Sequence, residues 1–386
     1  MTSKTKSRID WVNESCRLLA AIRKEFIHSQ PFDGMTIGTG IHLEPKTAAL
    51  LTTLKAGGAR VVATGNLSST QPTTIDYLQT CGIEVHAEAT IDASSQNKSL
   101  ARILAEKPDI LLDNGGDLFV RYLSAPYDGL IGGTEETTSG RMRLEPLRDQ
   151  LAMPILVIND SPIKQFAENK HAVGQSIFES YMRLTNRATN GKRVTVFGYG
   201  ACGQGVAAAF RNAYSIVSVV DVDPVTTLSA HFDGYATPNR DDAISSADVI
   251  VTETGAANVL TAEDTHLFKD GLILMNGGHF PTEIDVAGVR NSALTTSGWS
   301  YANEGIESLQ LSDGRVIHIL CEGHMANLAG PRPLGNSIES MDIGFALQAR
   351  CLERIARGEA DKSDCIVPVP SDIDAQVATD YLAFTR

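Results

Sequence analysis

Along most of the chain, short apolar runs alternate with longer polar stretches whose apolar positions recur at helical spacing. MTIGTGI (35–41), ARVVATG (59–65), IEVHAEA (83–89), DILLDN (109–114) and ILVIND (155–160) read as strands. Between them lie helical stretches such as EPKTAALLTTLKAG, stopped by Gly57-Gly58. A long helix is predicted over roughly 171–188, HAVGQSIFESYMRLTNRA, ending near Asn190-Gly191. A second series follows, with strands at RVTVFGYG, SIVSVVDVD, GYAT, DVIVTETG, GLILMNGG and RVIHILCEG. This order predicts an α/β protein of two Rossmann-like, doubly wound parallel-sheet domains. The first is placed at residues 1–172 and the second at 173–330, while 331–386 return to the first, so the second is an insertion. The return begins in the Gly/Pro-rich LAGPRPLGN, and the amphipathic MDIGFALQARCLERIARG packs back onto the first domain.

Composition narrows the function classes. With 386 residues, 42% hydrophobic and 20% charged, the chain has the make-up of a globular protein with a sizeable core. A formal net charge of −13 argues against a nucleic-acid groove, which needs a basic stripe. The six cysteines (Cys16, Cys81, Cys202, Cys321, Cys351 and Cys365) show neither CxxC nor Cys/His spacing, so reduced cytosolic thiols are expected and no metal site is. No apolar run is long enough to span a membrane, and MTSKTKSRIDW lacks a signal-peptide core, so the expected location is the cytoplasm.

The strongest local signal is VTVFGYGACGQGVAAAF (194–210), where Gly198, Gly200 and Gly203 form GxGxxG between a strand and a helix. The first glycine allows a tight turn, the second admits a pyrophosphate, and the third lets helix and strand pack closely. Asp221 ends the next strand 18 residues after Gly203. A carboxylate there suits the ribose hydroxyls of NAD and repels the 2′-phosphate of NADP. The expected cofactor is therefore NAD.

Nine stretches, GIHLEPKTA, NLSSTQ, LLDNGGDL, GGTEETTSGR, INDSPIKQFAEN, GYGACGQG, TETGAANVL, NGGHFPTEID and EGHMANL, run in order from about residue 35 to 330. Together they resemble the S-adenosylhomocysteine hydrolase family. The resemblance implies a substrate domain with an inserted NAD domain, a nucleoside or nucleoside-thioether substrate, and a homo-oligomer, a tetramer or a dimer. It also implies an NAD that is tightly bound and regenerated within each turnover. The chemistry explains why: oxidising a ribose 3′-hydroxyl to a ketone makes the C4′ proton removable, so the 5′ substituent can leave. The ketone is reduced again afterwards.

Carried over by position, Lys164 matches the lysine beside the 3′-hydroxyl, where a desolvated amine can act as base. Glu168 stands where the family has aspartate, and Asn169 matches the asparagine between substrate and cofactor. Glu136 matches the ribose-binding glutamate, and Thr137, Thr138 and Ser139 the three hydroxyls at the nicotinamide end. His279 matches the histidine near the 3′ side, His42 the one near C5′, and Asn327 an asparagine holding the nicotinamide amide. Cys202, Thr254 and Gly277 fall in cofactor-side motifs, His324 and Arg332 in substrate-side ones. From the residues alone, Lys164 and Glu168 at i,i+4 are also compatible with a surface helix pair, and His42 and His279 with core histidines.

The departures cluster on the substrate side. Glu44 replaces a threonine facing the 5′ region, and Lys46 replaces the glutamate that accepts from the adenine amino group. Lys46 can only donate, which suits a purine O6. Asn114 replaces an aspartate that works with the C5′ histidine, Val173 replaces a cysteine near the ribose, and the adenine-binding GHP loop becomes AGPRP. The sequence ends at YLAFTR, short of the Lys/Tyr-bearing tail that in many members reaches a neighbour's NAD. A desolvated Glu44 acid could protonate a departing hydroxide, and Asn114 would weaken rehydration at the same carbon. The two changes lean toward elimination of water, giving a 4′,5′-unsaturated nucleoside. Glu44 as a simple helix-start carboxylate is the plain alternative. Competing functions are hydrolysis of S-adenosyl- or S-inosylhomocysteine, a non-catalytic NAD-binding regulator, and a dehydrogenase consuming free NAD.

Overall fold

The computed structural model describes residues 6–90, 92–295, 300–301 and 305–385. The chain leaves its first compact unit after Gln165 and returns to it at Ile338, so the second unit, Phe166–Ser337, is an insertion. The crossover falls inside a continuous helical stretch. Its period carries through both units and so does not mark where the packing partner changes.

The first unit holds β1 (Thr36–Gly40), β2 (Arg60–Thr64), β3 (Glu84–Val85), β4 (Ile110–Asp113), β5 (Gly132–Glu135) and β6 (Ile155–Val157). The second holds β7 (Arg193–Phe197), β8 (Ile216–Val220), β9 (Val249–Thr252), β10 (Ile273–Asn276), β11 (Ala293–Thr295), β12 (Ser300–Tyr301), β13 (Ile306–Leu311) and β14 (Val316–Leu320). After the return, β15 (Ile366–Pro368) completes the first sheet.

That first sheet has the order β15-β6-β5-β4-β1-β2-β3, and every pairing is parallel. The chain winds outward from β1 to β3, then crosses back to β4 beside β1, which makes the β1/β4 boundary the topological switch point. Helices cover both faces. Ala93–Ala105 and Asp117–Ser124 pack on one, close to Gly38 and Gly40, and Pro45–Ala56 and Ile338–Ala356 pack on the other. Pro45–Ala56 opens on proline and closes at Gly57, but it is not amphipathic: every residue from Pro45 to Leu54 is buried. Helices Arg8–Ser15, Arg17–Ser29 and Ile338–Ala356 enclose it, which takes Lys46 out of solvent along with its leucines.

The second sheet runs β11-β13-β14-β10-β9-β7-β8, with β12 on β13. It is parallel from β8 to β14, and β13 pairs antiparallel with β14, β11 and β12. Its core is built from both faces, by Val194, Val196, Phe210 and Met275 on one and Ile250, Leu274, Ile317 and Ile319 on the other.

The structure corrects several expected elements. IEVHAEA forms a strand only at Glu84–Val85, and GYAT contributes a single bridge, Ala236 to Ser218. β5, β15 and the antiparallel strands β11 to β13 carry no strong apolar alternation and were not expected. The helix placed at 171–188 begins at Lys164 as a π-helix, Lys164–Ala172, and continues as an α-helix, Val173–Thr185, to a left-handed Asn186.

Candidate active site

In the first unit, most of the expected substrate-side residues sit just beyond the carboxyl ends of β1, β4 and β5, at the switch point where doubly wound sheets bind ligands. Asn114, after β4, donates to Glu136 Oε2 at 2.8 Å, and Glu136 follows β5. Asn66, after β2, donates to the Asn114 carbonyl at 3.1 Å and to its side-chain oxygen at 3.4 Å. Ser69 hydrogen-bonds the Asn66 carbonyl at 3.2 Å, and its hydroxyl lies 2.6 Å from His42 Nδ1. A continuous polar chain therefore links His42, Ser69, Asn66, Asn114 and Glu136. Asn66 and Ser69 both lie in NLSSTQ, so the motif was in view, but nothing in the sequence tied either residue to Asn114 or His42.

Glu44 and Lys46 are buried and paired, Lys46 Nζ to Glu44 Oε2 at 2.7 Å. This corrects the reading of each as a separate group. Glu44 is not an isolated desolvated acid, and Lys46 is not an isolated donor. Nor does Glu44 cap the helix: it occupies the N-cap position, yet its side chain accepts no capping hydrogen bond.

Two further carboxylates brace this site. Asp113 accepts from the N–H groups of Asn114, Leu118 and Phe119, and Glu135 from those of Gly115, Gly116 and Thr137. Burial raises the carboxyls of both, Asp113 well above the usual range and Glu135 up to about 7. The Thr137 hydroxyl donates to Glu135 and accepts from Gly140 N–H and Ser139, so it is committed within the protein, as the cap of helix Thr138–Leu144. Thr138 is exposed and Ser139 half-buried. Lys164 and Glu168 are both buried, which excludes the surface ion-pair reading, and Asn169 is buried beside them in sequence. They fall in the π-helical segment, a distortion common at functional sites.

The second unit gathers its expected residues at the ends of β7, β8, β9, β10 and β14. Gly198 has φ +91°, and a Cβ there would stand 2.6 Å from the Glu253 carbonyl oxygen. A Cβ at Gly203 would stand 2.0 Å from the Gly198 carbonyl oxygen, whereas one at Gly200 would meet nothing within 4 Å. Turn, open approach and close packing thus fall to the three glycines in the order the motif requires. Asp221 accepts from Tyr199 N–H at 2.7 Å, which holds its carboxylate against the same turn. Asn327 donates to Ser176 at 2.9 Å, while its buried Oδ1 has no hydrogen-bond donor. That oxygen is placed to take an amide N–H₂, as a nicotinamide carboxamide offers. The residues present fit NAD.

Cys202 is half-buried in the first turn of the helix after Gly200, and Gly277 is buried after β10. His279 packs edge-on against Phe280 at 4.7 Å. The Thr254 hydroxyl is taken up by the buried Glu283 at 2.7 Å. Glu253, missed in the sequence, is pushed well above the usual carboxyl range by burial, and Gly277 lacks a side chain where Glu253 Oε1 lies. His324 is half-buried, its imidazole held below the ordinary value by burial. Val173 packs on the core, and Arg332 is exposed in a left-handed conformation. Among the described residues, the one cluster with metal-ligand geometry is Glu84, His86 and Glu106, and Arg60 already donates to both of its carboxylates. No helix of the described residues is long and apolar enough to cross a membrane.

The profile described as S-adenosyl-L-homocysteine hydrolase, NAD binding domain, matches residues 169–332, and that of S-adenosyl-L-homocysteine hydrolase matches residues 3–127. An adenosylhomocysteinase of Thermotoga maritima is 37% identical over 96% of this chain and 92% of its own length. S-inosyl-L-homocysteine hydrolases of Methanopyrus kandleri and Methanothermobacter thermautotrophicus are 35% and 36% identical, over 98% and 97% of this chain and 90% of each relative. With NAD as its cofactor, the chain belongs to the S-adenosyl-L-homocysteine hydrolase family.

Proposed function

We propose that this protein removes the C4′ proton of a transiently 3′-oxidised nucleoside and expels the 5′ substituent as water, leaving a 4′,5′-unsaturated nucleoside. NAD, tightly held and recycled, would supply the oxidation at C3′ and its reversal. Asn169, Asn327, Asp221 and the Gly198–Gly203 turn are the residues that would hold it. Lys164, buried at 4% exposure, is the base at the 3′-hydroxyl, and Glu136 binds the sugar hydroxyls.

The observation that carries the reading is Asn114. Its side-chain amide is fixed between Asn66 and Glu136 and cannot take a proton from water, so addition to the enone loses the carboxylate that an aspartate there would offer. The departing hydroxide needs a proton, and the buried Glu44–Lys46 pair, 2.7 Å apart, is the proposed donor. Retention of Lys164, Asn169, Glu136 and His279 supports an enzyme over a non-catalytic regulator.

Hydrolysis of a nucleoside thioether is the second reading. It is favoured by the similarity to S-inosyl-L-homocysteine hydrolases and by Lys46 as a donor for a purine O6. The test is to incubate the protein with S-adenosylhomocysteine, S-inosylhomocysteine and free purine nucleosides, and to read product masses. A nucleoside lighter by one water, with no homocysteine, is the expected result. Homocysteine with an intact nucleoside would replace the proposal with the second reading, and a stoichiometric rise in free NADH would replace it with a dehydrogenase.

A further inference from the structure

Glu135 joins two loops that come from different strands. Gly115 N–H donates to its Oε1 at 3.0 Å and Gly116 N–H to Oε2 at 2.9 Å, both from the loop after β4. From the loop after β5, Thr137 N–H and the Thr137 hydroxyl both reach Oε1 at 2.8 Å. That hydroxyl also accepts from Gly140 N–H at 2.9 Å and from Ser139 at 3.1 Å, so its own proton is directed at Glu135. A Cβ at Gly140 would stand 2.1 Å from Oε1, so the helix start approaches only because residue 140 has no side chain. The first loop carries Asn114. The second carries Glu136 and Thr137 to Ser139.

We propose that Glu135 is a positioning residue: its carboxylate sets the register of the 114–116 loop against the 136–140 loop. The inference rests on the proposed function for what the loops do, and on geometry alone for how they are held. All four groups facing the carboxylate are donors, so an added proton would point at a donor. The charged groups around it are Asp113 on β4, Asp117 at the next helix start, and Arg143, which bridges Asp117 and the Gly115 carbonyl at 2.6 and 2.7 Å. Glu136 turns away, toward Asn114. Burial pushes the Glu135 carboxyl up to about 7 despite its four hydrogen bonds.

The experiment is hydrogen–deuterium exchange on the full-length holoenzyme, corrected for intrinsic rates, with KM and kcat for the nucleoside that gives product. Wild type is compared with Glu135→Gln and with Gly140→Ala, which crowds the carboxylate but keeps it. Glu135→Gln should lower protection of segments 113–119 and 134–141 severalfold with the rest of the unit unchanged, and raise KM at least about tenfold with a smaller change in kcat. Gly140→Ala should lower protection in the same segments by less. Wild-type protection of both segments in Glu135→Gln overturns the proposal. So does exchange that rises evenly across the unit. If no nucleoside is consumed, the proposed function fails while the exchange arms still decide the clamp.

Discussion

Glu44 and Lys46 bring two ionisable side chains out of water within one helical turn, and a 2.7 Å contact pairs them. Removing one partner of such a pair strands the other, at a cost of about 3–5 kcal/mol, whereas replacing both with apolar or amide groups of similar volume is often close to neutral. Glu44→Gln and Lys46→Met should each lower unfolding stability by roughly that amount, and the double variant by much less, measured by urea denaturation. Additive losses would mean that the pair is not coupled. Asn114 makes a prediction of a different kind. It keeps the site's hydrogen bonds but has no basic form, so Asn114→Asp should restore a group able to activate water. With the thioether or the unsaturated nucleoside offered in ¹⁸O-water, that variant should place the label at C5′ and wild type should not. Label in both would remove Asn114 as the reason the enone stays unhydrated.

At the scale of elements, the turn from β7 into helix Ala201–Asn212 separates two uses of glycine. Gly203 faces the backbone of the turn itself, and Gly200 faces open space. Gly203→Ala should therefore lower the stability of the apoprotein by more than about 1 kcal/mol. Gly200→Ala should leave apoprotein stability unchanged and weaken NAD binding at least about tenfold, read by calorimetry on both. Equal effects of the two on stability would remove the assignment of Gly200 to cofactor approach. β5 shows how far an element can escape its sequence: GGTE has no apolar residue, yet it is a buried central strand. Gly133 leaves room for the Leu111 backbone and the Phe119 ring, so the strand is defined by what its neighbours need rather than by its own period. The π-helix is hidden for a related reason, since a one-residue change in hydrogen-bond register leaves the apolar spacing nearly intact.

For the molecule as a whole, buried acids dominate the pH response. Burial raises the carboxyls of Asp113, of Glu135 to about 7 and of Asp342 to about 6, all in the first unit, and also those of Glu253 and Glu283 in the second. A raised folded value means that the native state binds protons the unfolded chain has already released. Stability from these groups is therefore full at low pH and lost as pH rises through the folded values. Asp223, Asp248, Asp264 and Asp372 are lowered by hydrogen bonds and ion pairs, and their contribution is lost only as pH falls below the ordinary carboxylate range. The melting temperature should thus rise as pH is lowered from about 8 to about 5, and fall again below about 4. Scanning calorimetry across that range checks this, and a melting temperature that rises steadily from pH 5 to 8 would show that the buried acids do not control stability.

The alternation of strand and helix, the inserted second domain, the glycine turn and the carboxylate after β8 were all written in the sequence. Each is a local property, either a period of apolar positions or a backbone conformation that few residues tolerate. The family resemblance also pointed to Asn114, Glu136, Lys164 and Asn327 one by one. What it left open is how they are joined. Asn114 meets Glu136 across 22 residues and Asn66 across 48, and no local period encodes which side chains meet when separate strands end side by side. The Glu44–Lys46 pair was hidden differently, since the two are near in sequence but become partners only because surrounding helices exclude water from both. The clamp at Glu135 combines the two cases, a buried charge whose partners arrive from two loops, and only the folded sheet decides it.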